Sequence, residues 1–134
     1  MPQVNLPIDI ADALQAALNG AGVHACAEPL PRNFEDNLPL TQVQPIGGGR
    51  SAVILDRFGV RLYTWASSYA AAIEAAGVAM AQLVALEGGT ANGSQIYRVI
   101  PTALPYAAFD PDHPTTPRAS QTFDVYARAR TIES

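Results

Sequence analysis

The sequence predicts an α+β fold: a mainly antiparallel sheet of about five strands with two helices packed on one face, in the order α-β-β-β-α-β-β. Two segments space their apolar residues at steps of three and four and stop at glycine, as amphipathic helices do, while several others alternate with the two-residue period of a strand. The third observation is size. A chain of 134 residues, 49% of them hydrophobic, suffices for one cored domain and falls short of two. Residues 1–134 therefore read as a single domain, with loops at 26–37 and 108–118.

The first helix runs from about Ile8 to Ala21, with Pro7 suited to a first turn, Asp9 and Asp12 at the positive end of the dipole, and Asn19-Gly20 as a stop. Its stripe, Ala11, Leu14, Leu18 and Ala21, is narrow, so the helix packs on one side only. In CAEPLPRNFEDN, residues 26–37, two prolines and mixed charge predict an exposed loop. Leu38 to Ile46 is strand-like, and Pro39 and Pro45, each lacking a ladder donor, place it at a sheet edge or at its beginning and end. Ser51 to Leu55 and Val60 to Ala66 extend this to a three-strand meander, with Asp56-Arg57-Phe58-Gly59 as the hairpin turn. Val60, Leu62 and Thr64 alternate there with Arg61, Tyr63 and Trp65.

Ser67 or Ser68 caps a second helix, whose stripe Tyr69, Ile73, Ala76, Met80 and Leu83 continues until Gly88-Gly89. Its remaining surface is alanine with Gly77, small enough for another backbone to approach. A long strand from Ile96 to about Ala107, interrupted by Pro101 and Pro105, leads into the loop Asp110 to Pro117 and a last strand, Ala119 to Arg130.

Net charge of −4 and a pI near 4.9 argue against tight binding to nucleic acid backbones, which takes clustered cations. All eight basic residues are arginine. The single Cys26 allows no internal disulfide, which fits a cytosolic setting. MPQVNLPIDIADALQ does not have the basic segment and apolar run of a signal peptide, and the apolar stretch Tyr69 to Leu86 is broken by Glu74, Gly77 and Gln82, so no membrane span is expected.

The motifs that carry chemistry elsewhere are incomplete. IGGGRS, residues 46–51, has neither the spacing nor the lysine of a phosphate loop and leads into a strand, so its glycines predict a strand connection. His24 and Cys26 supply two metal-capable side chains where zinc needs three or four, and His113 is distant in sequence. Asp110 and Asp112, bracketing a proline, read as turn formers. Ser67-Ser68 reads as a helix cap, without the glycines of a nucleophile elbow. No enzyme, cofactor or metal site is expected.

The unusual chemistry lies on the late strands. Asp124, Tyr126, Arg128 and Arg130 project from one side of the last strand, and Arg57, Arg61 and Trp65 add to that surface, in residue types enriched where proteins meet. An exposed sheet edge must be paired, covered or blunted, and assembly into a ring would do this.

The chain resembles the phage tail terminator proteins, small α+β subunits that form a ring at the head-proximal end of a long non-contractile tail. The resemblance rests on the N-terminal helix, the lead RNFEDNLPLTQVQPIGGG (residues 32–49), the apolar strand ending at Asp56, VRLYTWASSYAAAIEAAGVAMAQL (residues 60–83) and the final PDHPTTPRASQTFDVYARA (residues 111–129). It implies a non-enzymatic virion protein, assembled in the bacterial cytoplasm as a homohexameric ring. That ring would cap the growing tail tube, bind the head-tail connector and let DNA pass through its channel; its partners would be itself, tail tube protein and connector, with no membrane. An acidic, lysine-free subunit suits such a channel, since polyanion binding would oppose ejection. The alternatives are another neck or head-completion subunit, or a small ligand-binding domain or enzyme using Cys26, His24 or His113. Under the ring reading, the loops at 26–37 and 108–118 are expected to order on docking.

Overall fold

A computed structural model describes residues 3–133. In chain order the elements are β1 (Gln3–Leu6), α1 (Ile10–Gly20), β2 (Ala25–Cys26), a 3-10 turn (Phe34–Asn37), β3 (Leu40–Ala52), β4 (Leu55–Trp65), α2 (Tyr69–Val84), β5 (Thr90–Ala91), β6 (Ser94–Ala107), β7 (Arg118–Arg128) and β8 (Arg130–Glu133). The α+β class and the two helices agree with the sequence reading. The strand count does not: eight strands form a six-stranded sheet, ordered β2-β3-β4-β7-β6-β5, and a separate two-stranded β1-β8 sheet. The larger sheet is antiparallel except where β2 runs parallel to β3. The elements missed by pattern are two-residue strands and terminal segments, too short for a period to register.

Both helices cover one face. Ile10, Leu14 and Leu18 of α1 and Ala79 and Leu83 of α2 share a core with Val43, Val60, Leu62, Ile96, Val99, Phe123 and Val125. Asp9 caps α1 by accepting from the Asp12 amide at 3.1 Å, and the Asn19 side chain clips the helix to β2 through both the amide and the carbonyl of Ala25. Ser68 caps α2 by accepting from the Ala71 amide.

The expected face of α2 is rotated. Its buried residues are Ala72, Ala76, Ala79 and Leu83, while Tyr69 and Ile73 are exposed. Alanine lets the helix lie close to the sheet, close enough for buried Gln121 of β7 to donate to the Ala76 carbonyl at 2.8 Å. The backbone that the small residues admit is thus the protein's own.

The three-strand meander is instead one long hairpin. Gly47-Gly48-Gly49 lies inside β3, Asp56 to Gly59 lies inside β4, and the turn is Val53-Ile54. Two contacts explain the shift. Arg50 and Asp56 face each other across the strands in a bidentate pair at 2.6 and 3.0 Å, which draws DRFG into the ladder. The register slips between Pro45 and Gly48, and a Cβ on Gly48, at φ 151, would lie 1.9 Å from the Arg57 carbonyl oxygen, so the glycine run is a bulge.

Candidate interaction surface

Neither α1 nor α2 covers the sheet's other face. Because side chains alternate along a strand, burial of Val60, Leu62, Phe123 and Val125 against the helices sends Arg57, Arg61, Tyr63 and Trp65 of β4, and Arg118, Thr122, Asp124, Tyr126 and Arg128 of β7, to this outer face. Register sets them in rows. Tyr126 stands between Arg57 of β4 and Arg98 of β6, Thr122 lies beside Arg61, and Arg128 lies beside Leu55 near the hairpin tip. Arg57 reaches Asp124 at 3.4 Å. Arg98 and Arg128 are exposed and, among the described residues, form no ion pair. Five of the eight arginines, at 57, 61, 98, 118 and 128, therefore share a face on which β4 and β7 bring one acid, Asp124.

Two of the residues assigned to this surface from sequence are not open on it. Trp65 is 2% exposed: the loop after β2 crosses over it, and Phe34, Leu40 and Trp65 make a small second core with the Phe34 and Trp65 rings 5.4 Å apart. Arg130 is on β8, paired with Leu6 of β1, and borders a cleft with Asp9, Asp12 and Asn92. The ladder of β7 ends at Arg128, so the alternation that put Arg130 with Arg128 stops one residue too early.

The covered end of the face is fastened by Asp110. This carboxylate, 4% exposed, accepts from Trp65 Nε1 at 2.9 Å and from the Asp112 amide at 3.0 Å, and it meets His113 Nδ1 at 2.9 Å. Arg118 lies 3.9 Å from it, stacks over the Tyr63 ring at 3.9 Å and donates to the Ala108 and Phe109 carbonyls. Burial pushes the Asp110 carboxyl up, but hydrogen bonds from Trp65, His113 and the Asp112 amide, with the Arg118 charge, outweigh it and hold the group below the usual aspartate range. Sequence reading caught the Asp110-Asp112 turn and missed the network; Asp110 and His113, three apart in a proline-rich loop that must close on something, are its visible trace.

These contacts bear on the loops. Phe34 in the first and Asp110 in the second are buried, and both segments pack against Trp65. Burial also raises the Cys26 thiol pKa, which disfavours the nucleophilic thiolate. Among the described residues no three His, Cys, Asp or Glu side chains gather as a metal site, and no helix is long and apolar enough to cross a membrane.

No protein-family model and no curated protein matches the chain. Besides the arginines, most of the β3 and β6 outer edges lack a strand partner among the described residues, since β2 and β5 cover two residues each. Exposed apolar side chains gather toward the ends of the long strands: Val53 and Ile54 at one hairpin tip, Leu104, Tyr106 and Phe109 near the other. A sheet face rich in Arg and Tyr, flanked by open edges, is suited to protein contact.

Proposed function

We propose that the protein is a ring-forming tail terminator subunit that caps a phage tail tube and joins it to the head-tail connector. The observation that carries this reading is the uncovered Arg-Tyr sheet face, beside strand edges left open over most of their length. Such a monomer is an unfinished surface, and repetition around a closed ring finishes it without leaving an edge for runaway pairing. The element order quoted for the family resemblance supplies the tail context. In this mechanism one rim of the ring imitates the end of a tube subunit and the other offers no tube site, so growth stops there; the work is done by shape, without bond-making.

The test is reconstitution with polymerising tail tube protein. Added protein should bind at tube ends as a ring and shorten the length distribution, and connector protein should attach to capped ends only. Connector binding without tube binding would favour a different neck subunit. Tubes that grow unchanged, with no ring at either end, would contradict both readings.

A further inference from the structure

Resting on the ring reading, we infer that neighbouring copies join head to tail, the arginine face of one docking against the acidic α1 edge of the next. Two sets of exposed charge lie apart. Arg98 and Arg128 stand on the outer face, whereas Asp12 on α1 and Glu28 beyond β2 lie at the opposite layer and edge; Asp9, the α1 cap, also borders a cleft with Arg50 and Arg57. These three acids, with Gln15, line one cleft of about 360 Å3 between α1 and the open part of β3, and no cation lines it. Arg130 borders the far side of the same helical turn, leaving the edge net acidic.

Three physical points favour a second copy as the occupant. The two surfaces sit on different elements, so one subunit can engage two neighbours at once, as a closed heterologous ring requires. Like charges bar the alternatives: two arginine faces repel, and so do two acidic edges. Finally, a ring that passes DNA must keep its guanidinium groups off the channel wall, because they would bind phosphate and retain the polyanion. Burying Arg98 and Arg128 between subunits does this, with Tyr126, opposite Arg98 and two residues before Arg128 on β7, as the desolvated anchor typical of interface centres.

The experiment uses two charge-reversed full-length chains, Arg98→Glu/Arg128→Glu and Asp12→Arg/Glu28→Arg, with circular dichroism verifying the fold of each. All four side chains are exposed, and Asp9 is left intact because it caps α1. Each variant alone should associate at least roughly tenfold more weakly than the parent. Mixed one to one they should recover rings, alternating around the circle, because every junction then pairs Glu with Arg or Arg with acid. Milder Arg98→Gln/Arg128→Gln and Asp12→Asn/Glu28→Gln chains, weakened alone and not restored by mixing, keep the test valid if a reversal misfolds. Rings formed by either reversed variant alone, or no recovery on mixing, would overturn the docking mode while leaving the ring reading standing. A parent that stays monomeric at high concentration, alone and with tube protein, would overturn both.

Discussion

Asp110 shows how much one side chain decides here. Buried, yet met by Trp65, His113, the Asp112 amide and the Arg118 charge, it ties the loop before β7 to the end of β4. Its folded pKa lies below the ordinary aspartate value, so its stabilisation is complete above about pH 4 and is lost as the pH falls further through the folded value. Melting temperature followed into acid should therefore fall more steeply for the parent than for Asp110→Asn; parallel curves would remove Asp110 from the acid response. Asp110→Ala should cost about 1–3 kcal/mol in urea unfolding, since it strands the buried indole N–H of Trp65. Gln121 is the contrasting case. Its Nε2 reaches the Ala76 carbonyl, but its buried Oε1 has no partner among the described residues. Gln121→Met should accordingly be neutral or stabilising, within about 1 kcal/mol, because it removes an unpaired acceptor from the core. A loss much larger than that would mean that the Gln121 bond seats the helix.

At the scale of elements, the β3-β4 hairpin depends on its bulge. Gly48→Ala should destabilise the protein by about 1–3 kcal/mol or more, combining a backbone angle that L side chains rarely adopt with a clash against the Arg57 carbonyl, and denaturant titration measures it. An unchanged midpoint would mean that the bulge relaxes freely. The same hairpin shows what was legible. The strands from Val60 and from Ala119, both helices and a serine cap at Ser67 or Ser68 followed from period and capping chemistry, because each depends on neighbours in sequence. The turn did not, because Val53 and Ile54 have no turn character of their own and are placed there by a pairing between Arg50 and Asp56. Likewise, alternation places Arg61 with Trp65, and Asp124 with Tyr126 and Arg128, on one side of each strand, but the glycine of DRFG assigns Arg57 to a turn, and alternation carries no information about what crosses that face. Phe34, remote in sequence, buries Trp65. Arg98 went unnoticed because β6 slips register between Ile96 and Arg98, so its phase cannot be read from simple alternation. The buried alanine face of α2 was hidden for a different reason: bulk suggested Tyr69 and Ile73, whereas close approach to the sheet selects the smallest side chains.

As a whole molecule, the protein separates a closed interior from a surface left open. Helices α1 and α2 complete the core on one side, while the opposite face keeps arginines and tyrosines that contribute little to folding when solvated. That separation makes a direct prediction. Arg61→Glu and Arg128→Glu should each change folding stability by no more than about 0.5 kcal/mol while weakening self-association, with circular dichroism reading the first and light scattering the second. Loss of fold together with assembly would show that the face serves the subunit and not its neighbours. The most direct test of the central claim is the mass of the untouched protein in solution as its concentration rises, measured by sedimentation or light scattering. A ring-forming subunit should step from the 14.1 kDa chain to a discrete hexamer, with no open-ended growth. A single 14.1 kDa species at every concentration, unchanged when tail tube protein is added, would contradict it.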